Sequence, residues 1–158
     1  DLLGGVVASP SAVALSTYDA VALTLFVAAG GGRFVELTGQ GELGGLSDTI
    51  TSAGAAVLAA QQAGNGEVST VIVRTQGQYA FTIGYTLGLR NRGSIGDNAR
   101  RSNIVATIHS HPDRVGSGFV LSSEDAGLNA RFDRNFFVTP GCKIYRISGS
   151  GARPWGEC

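Results

Sequence analysis

The β-branched run at residues 68–74 constrains the fold of this chain more than any other feature of its sequence. The run reads Val-Ser-Thr-Val-Ile-Val-Arg, and side chains branched at Cβ pack well on the pleated surface of a sheet. Residues 75–78 contain a Gln-Gly pair typical of a turn, and residues 79–85 alternate like a strand that returns beside the first. The centre of the chain is therefore predicted to be a β-hairpin.

The segment before this hairpin predicts a helix. Ser47 and Asp48 offer a helix cap, and residues 50–63 are rich in alanine and free of proline. The sequence Gly-Asn-Gly at residues 64–66 should stop the helix. After the hairpin we expect a surface loop over residues 87–101, because this segment is rich in glycine, asparagine and arginine.

The C-terminal half predicts a strand, a helix and a second hairpin. Residues 103–108 form a short apolar strand, and Ser122 should cap a helix that runs to about Phe132. Residues 135–138 and 143–147 predict a hairpin, followed by a tail. This order of elements predicts a single α/β or α+β domain, with a mixed β-sheet and flanking helices.

Length and charge limit the classes of protein that the sequence fits. At 158 residues the chain is long enough to form one domain with a buried core. The formal net charge is zero and the pI is about 6.9, and no basic run is interleaved with aromatic residues, so we expect no nucleic-acid partner. The apolar run at residues 20–29 is shorter than the about 20 residues of a transmembrane helix, so we expect no membrane span.

The glycine-rich residues 1–46 are predicted to be an N-terminal extension that contributes strands to the same domain. Apolar stretches at residues 12–15, 20–29 and 33–37 support this prediction. The chain starts at Asp1 and contains no methionine, so we expect a domain cut from a longer polypeptide.

Both histidines of the chain lie in the motif His-Ser-His-Pro at residues 109–112. Residues i and i+2 of a strand end point to the same side, so His109 and His111 can converge on one ion. Asp125, in the first turn of the helix capped by Ser122, is the candidate third ligand of a zinc site with a fourth position open to water. The alternative is that the histidines merely flank a turn while Ser122 and Asp125 cap a helix.

The motif His-x-His-Pro followed by Ser-x-x-Asp at residues 122–125 resembles the JAMM (MPN-type) zinc metallopeptidases. The resemblance covers residues 48–148. It implies the cytidine-deaminase-like JAMM/MPN architecture, a catalytic domain at residues 47–158 and a zinc ion held by the two histidines and Asp125. The loop between Pro112 and Ser122 is longer than in the family pattern, which affects the substrate geometry but not the ligand set.

The distant glutamate of this family is assigned to Glu67. Glu36 and Glu42 compete for the assignment, because each precedes a glycine three residues later, as the family's glutamate often does. Glu67 is preferred because it follows a helix and opens a hairpin before the His-x-His strand. The resemblance implies that Glu67 is the general base and that the Ser122 hydroxyl stabilises the oxyanion during hydrolysis of peptide or isopeptide bonds, often at ubiquitin-like tails.

Among bacterial proteins, the pattern is most similar to the JAB-like domains at the C-terminal ends of Rhs-type and other polymorphic toxins. Lys143 is the single lysine beside eleven arginines, as expected of a toxin that escapes ubiquitin tagging, although a GC-rich coding bias gives the same composition. The resemblance implies a secreted or delivered effector with a protein or peptide substrate, and an immunity protein or toxin shell as partner. A cytoplasmic enzyme is the alternative.

Other functions also stay open. A cysteine hydrolase would use Cys142 as nucleophile and His109 or His111 as base, although a Pro-Gly hairpin offers no helix N-terminus to activate the thiol. A non-enzymatic MPN-like scaffold or binding module is a further alternative. A zinc deaminase is disfavoured, because the H-x-E and P-C-x-x-C signatures are absent from the sequence.

Overall fold

The computed structural model describes residues 32–88, 103–117 and 119–158. These residues form nine strands and two α-helices, and each helix continues into a turn of different pitch. In chain order the elements are β1 (Arg33–Val35), β2 (Gly41–Gly44), α1 (Leu46–Ala60), a π-helical turn (Gln61–Asn65), β3 (Val68–Thr75), β4 (Gln78–Phe81), β5 (Gly84–Thr86), β6 (Ile104–Ser110), α2 (Ser123–Gly127), a 3-10 turn (Leu128–Ala130), β7 (Asn135–Thr139), β8 (Lys143–Ser148) and β9 (Gly151–Glu157).

All strands of the described residues belong to one sheet. Its main order is β1-β5-β3-β6-β7-β8-β9, and β4 pairs with β3 and β2 beside this path. The β6–β7 pair is parallel, and the other pairs are antiparallel. This confirms the predicted α+β class with a mixed sheet. Because a parallel pair needs a crossover connection, the segment with α2 must pass over the sheet between β6 and β7.

Helix α1 packs its apolar side on the sheet. Ile50 and Val57 are buried on this side, seven residues apart and therefore in line along the helix. A Cβ atom at Gly54 would lie 3.0 Å from Ile144 Cδ1, so the glycine allows a close approach of helix and sheet. The chain after α1 consequently enters β3 directly beside β6.

The predicted helix cap at residues 47–48 is wrong. The helix begins at Leu46, and its N-cap is Gly45, which makes no side-chain cap hydrogen bond. Leu46 packs against the core, and burial of this apolar side chain in the first turn moves the helix start upstream. The predicted stop is confirmed, since Gly64 has a φ of 99° and interrupts the π-helical turn.

Strand β3 is the buried centre of the sheet, as its β-branched sequence predicts. Its first six residues are all buried. Val68 and Ile72 belong to the main core under α1, whereas Val71 and Val73 belong to a second cluster, on the other face by the alternation of a strand. Both faces of β3 are therefore covered, which explains its continuous apolar pattern.

The predicted return strand at residues 79–85 is divided into β4 and β5. Ile72 pairs with Phe81 of β4, whereas Val68 pairs with Thr86 of β5, so the register shifts by one residue between the two strands. Such an irregularity bends a strand. It lets β4 pair with β2 and β5 pair with β1.

The predicted hairpin around residues 140–141 is confirmed by β7 and β8, but the residues after it are not a tail. They form β9, which pairs with β8. This strand was not predicted from the sequence because it contains Pro154. Proline cannot donate a hydrogen bond to a neighbouring strand and is tolerated only at an edge or bulge. Trp155 of β9 packs on Phe136 with ring centroids 5.3 Å apart.

A disulfide joins the hairpin turn to the end of the chain. Cys142 precedes β8, Cys158 follows β9, and their Cα atoms are 5.4 Å apart. Cys142 also packs against the main core under α1. The bond therefore holds the edge strand to the sheet at its C-terminal end.

The described part of the predicted N-terminal extension contributes β1 and β2 to the same sheet. The apolar stretches at residues 12–15 and 20–29, and residues 89–101 of the predicted loop, lie outside the described residues. Within the described ranges, no helix is both long and apolar enough to cross a bilayer.

Candidate metal centre

His109 lies inside β6, on the sheet face that α2 covers. It is 6% exposed, and it stands opposite Ser69 of β3 and Phe137 of β7. Its Nε2 atom lies 3.3 Å from Asp125 Oδ2. This contact does not meet the geometry of a hydrogen bond, so Nε2 is a buried nitrogen without a hydrogen-bond partner in the described part of the chain.

His111 follows β6 directly and, two residues after His109, projects to the same side of the sheet. Its Nδ1 lies 2.9 Å from the carbonyl oxygen of Asp113, and because a carbonyl only accepts, Nδ1 is the protonated nitrogen. Nε2 then keeps a lone pair, the form in which imidazole binds metals. The ring contacts Phe119 and Phe137 at centroid distances of 5.7 and 5.3 Å.

Asp125 reaches His109 because Ser122 caps α2. The Ser122 hydroxyl oxygen accepts a hydrogen bond from the Asp125 backbone N–H at 3.1 Å, which confirms the predicted cap. The helix is shorter than predicted, since α2 ends at Gly127 and a 3-10 turn follows. The first turn is nevertheless sufficient to direct the carboxylate toward β6.

Glu67 lies at the corner between the π-helical turn and β3, and it is 8% exposed. The next residue anchors this corner, because the Val68 backbone N–H donates to Ser110 Oγ at 2.9 Å. Ser69 pairs with His109, and continuation of that register places Glu67 opposite His111. Glu67 therefore lies on the same sheet face as both histidines.

Burial raises the pKa of Glu67 from 4.5 to about 7, with the charge of His109 lowering it and that of Asp125 raising it. The influence of these two charges shows that the three residues share one electrostatic environment. A carboxyl group that titrates near neutrality can both accept and return a proton at physiological pH.

His109, which is buried, and Asp125, which is half-buried, form an ion pair. Burial by itself would lower the pKa of His109, but the Asp125 carboxylate, with a contribution from Glu67, outweighs burial and raises it. Burial would likewise raise the pKa of Asp125, yet the two histidines and Ser122 outweigh it, and the pKa is lowered. The charged forms of both partners are therefore favoured.

The competing glutamates lie elsewhere in the sheet. Glu36 follows β1, at one end of the strand order, and Glu42 lies in β2, which pairs only with β4. Both are exposed. Of the three predicted glutamates, the structure brings Glu67 to the histidines.

The residues present suit zinc, which binds imidazole nitrogens and carboxylate oxygens. The Nε2 of His109, which faces Asp125 without a hydrogen bond, and the Nε2 of His111 are atoms through which imidazoles bind metals. However, no three His, Cys, Asp or Glu side chains of the described residues lie close enough together to hold an ion as they stand. Coordination by the predicted set would require these side chains to move closer together.

Sequence reasoning missed the residues that support this arrangement. Ser110 is fully buried and bonded to β3, a role that strict alternation along β6 could have suggested. Phe137 contacts the rings of His109 and His111 at 6.0 and 5.3 Å. Gln61 Nε2 donates to the carbonyl oxygen of His111 at 3.1 Å. Nothing in the local sequence distinguishes Phe137 or Gln61 from other core or helix residues.

The longer loop between His111 and Ser122 packs on the histidines. Phe119 stacks on Phe137 with a centroid distance of 5.8 Å and meets His111 edge to face at 5.7 Å. Aromatic contacts of this kind stabilise a local conformation. The additional residues of the loop thus form part of the wall around His111.

An open groove of about 330 Å³ lies next to this cluster. Its walls come from the end of α1, from the chain after β5 and from the residue after His111. The lining residues are Gln61, Gly64, Gly66, Gly88 and Pro112. The groove includes Gly66, the sequence neighbour of Glu67, but Glu67 itself is not among its lining residues.

The cysteine hydrolase alternative gains no support. Both cysteines of the chain are described, and neither is free, because they form the disulfide. Cys142 also packs with the core under α1, whereas His109 faces α2 on the other side of the sheet. A thiol held in this bond cannot act as nucleophile for either histidine.

Fold and site together define an α+β protein with a buried cluster of histidine, aspartate and glutamate. Comparisons with models of known families, with curated proteins and with solved structures found no match to this chain.

Proposed function

We propose that this chain is a zinc-dependent hydrolase of peptide or isopeptide bonds, belonging to the JAMM (MPN-type) class that its motifs resemble. The observation that carries the proposal is that two buried residues, Glu67 and His109, and the half-buried Asp125 come from separate elements into one cluster. Perturbed titratable groups concentrate at functional sites. In this proposal the mixed sheet has the cytidine-deaminase-like JAMM/MPN architecture.

His109, His111 and Asp125 would hold the zinc ion. When bound, zinc supplies the Lewis acidity that activates a water molecule and polarises the scissile carbonyl. His111 is prepared for this role, because the Asp113 carbonyl holds the proton on Nδ1. His109 would have to release a proton from Nε2 first, so zinc binding should be coupled to proton release.

Glu67 would act as the general base. It would take the proton of the attacking water and transfer it to the leaving amine, and its pKa of about 7 suits both steps.

Ser122 would stabilise the oxyanion. It is exposed at the N-terminus of α2, next to Asp125. Its hydroxyl oxygen accepts the cap hydrogen bond from the Asp125 backbone, and its hydroxyl proton would turn from the Asp125 carboxylate to a substrate oxygen. An oxyanion-hole donor of this kind typically contributes about 3 kcal/mol to transition-state stabilisation.

We further propose that the domain is the toxic tip of a secreted or delivered bacterial effector. Its substrate would be a protein or peptide, and the tails of ubiquitin-like proteins are candidates. The disulfide between Cys142 and Cys158 supports an oxidising compartment at some stage. The single lysine supports exposure to a ubiquitin system. An immunity protein or toxin shell would be the partner in the producing cell.

The direct test is hydrolysis by zinc-loaded protein of isopeptide-linked and linear peptides, followed by mass spectrometry. Wild type should cleave at least one of these substrate types, whereas chelator-treated protein and Glu67→Gln should not. Protein that binds no zinc would overturn the proposal.

The second candidate is a non-enzymatic MPN-like scaffold. It is favoured by one observation, namely that no three candidate ligands of the described residues lie close enough to hold an ion as they stand. Elemental analysis separates the two functions, since a scaffold of this kind would retain no zinc and its stability would not respond to zinc.

A further inference from the structure

The sheet face that carries His109 also carries a small cationic pocket at the start of β8. Its volume is about 90 Å³, the space of about three water molecules and therefore of a carboxylate or similar oxyanion. Its lining residues are Arg114, Val115, Thr139, Pro140, Lys143 and Tyr145.

Two positive charges line this pocket without an acidic partner. Neither Arg114 nor Lys143 forms an ion pair within the described residues. Glu157 stands opposite Lys143 in the β8–β9 pairing but does not approach it closely enough for an ion pair. Lys143 is also the single lysine of the chain. Within the described residues, the pocket thus presents two positive side chains that form no ion pair.

The walls of the pocket are fixed by backbone structure. The Arg114 guanidinium lies against the turn before β8, where a Cβ atom at Gly141 would be 3.3 Å from Nη1. The Cys142 backbone N–H donates to the carbonyl of Thr139 at 2.9 Å, and the disulfide holds the same turn. The turn that forms one wall of the pocket is therefore already in place before a ligand binds, which favours binding.

The pocket is connected to the candidate metal centre by a row of aromatic rings. Phe137 meets His111 at a centroid distance of 5.3 Å and stacks on Tyr145 at 5.2 Å. Tyr145 lines the pocket. The two ring separations together correspond to the length of about three residues of extended peptide, which advances about 3.3 Å per residue.

We propose that this pocket binds a carboxylate, and that it recognises an acidic side chain or a free carboxyl terminus of the substrate about three residues from the cleaved bond. Arg114 and Lys143 supply the charge, and the Tyr145 hydroxyl adds a hydrogen-bond donor. The proposal of carboxylate binding depends only on the pocket. Its position in the substrate rests on the proposed hydrolase function.

The binding part is tested on chelator-treated protein by NMR titration with acetate, N-acetylglutamate amide and inorganic phosphate. Both carboxylates should produce saturable shifts at Arg114, Val115 and Lys143. Arg114→Gln and Lys143→Gln should each weaken binding about threefold to tenfold. Arg153→Gln is the control, because Arg153 is exposed and lies opposite Arg146, on the other face of the sheet.

Three results would overturn carboxylate binding. They are the absence of saturable shifts, an equal loss of binding in Arg153→Gln, and tighter binding of phosphate than of either carboxylate. Thermal unfolding of each variant shows whether it is folded, and charge reversal by Lys143→Glu provides a second variant that should abolish binding.

The substrate part is tested with zinc-loaded protein and a peptide library that contains Glu or Gln at each position. Wild type should prefer Glu about three residues from the cleaved bond, and Arg114→Gln should lose that preference with its main effect on KM. Hydrolysis without an acidic preference would overturn the substrate assignment and leave the hydrolase intact. Carboxylate binding without any hydrolysis would support the pocket and contradict the proposed function.

Discussion

Asp125 Oδ2 lies 3.3 Å from His109 Nε2, and through this contact the crossover segment with α2 meets the strand β6. His109 belongs to β6 and Asp125 belongs to α2, and the fold brings these two elements together at one site. Removal of Asp125 leaves the buried His109 without its charge partner, and removal of His109 leaves the half-buried Asp125 without its own, so either loss is destabilising.

His109→Ala should abolish zinc binding and the zinc-dependent rise in melting temperature, because it removes a buried ligand nitrogen. It should also destabilise the metal-free protein, since Asp125 loses its partner. His111→Ala should abolish zinc binding too, with a smaller loss of metal-free stability, because His111 is less buried. Elemental analysis and thermal unfolding measure both effects.

Asp133→Asn is the control for these variants, because Asp133 is exposed in the turn before β7. It should retain the zinc response of the wild type. If His109→Ala still binds zinc and still responds to it, the candidate metal centre is wrong.

Glu67→Gln should keep zinc but reduce hydrolysis by a factor of about 10² to 10⁴, the usual contribution of a general base. The amide has nearly the shape of the carboxyl group but cannot accept the proton. Activity is measured on the zinc-loaded protein, and zinc content by elemental analysis.

The matched variants Glu36→Gln and Glu42→Gln should have wild-type activity, because both residues are exposed and lie elsewhere in the sheet. Full hydrolysis by Glu67→Gln, together with a loss in one of the others, would move the base role to that residue.

The stability of the metal-free protein should depend on the ionisation of Glu67. Its pKa is raised from 4.5 to about 7 in the folded state, so the folded protein binds the proton more tightly than the unfolded chain does. The resulting stabilisation is complete below the unfolded pKa and is lost as pH rises through the folded pKa. Relative to Glu67→Gln, the free energy of unfolding of wild type should therefore fall between pH 4.5 and about 7.

Denaturant unfolding of both proteins in the presence of chelator, at several pH values, measures this difference. Parallel pH profiles for wild type and Glu67→Gln would show that Glu67 is not perturbed by burial.

Replacement of both cysteines by serine should lower stability without removing the zinc site. The disulfide spans 16 residues of sequence, and closing a loop of this size stabilises a protein by about 3 kcal/mol in the chain-entropy model. Thermal unfolding measures the loss, and elemental analysis should find zinc unchanged. Loss of hydrolysis in a folded, zinc-loaded double variant would instead support Cys142 as a nucleophile.

Several elements could be predicted from local sequence alone. The β-branched residues 68–74 specified the central strand, and Ser122 specified the cap of α2, because both depend on neighbours within a few residues. The spacing of His109 and His111 placed them on one side of a strand end for the same reason.

Other features were decided only by tertiary contacts. Burial of Leu46 moved the start of α1, and the edge position of β9 allowed a strand to include Pro154. Local sequence contains no information on which strand lies beside which.

The same distinction applies to the site. Residue types and spacing alone are enough to predict His109, His111 and Asp125 as zinc ligands, and they leave three glutamates as candidates for the base. The tertiary structure decided that Glu67 lies with them, because β3 pairs with β6 and Ser110 anchors the corner. The pKa of Glu67 near 7 has the same origin, since burial and the proximity of charges exist only once distant segments have packed together.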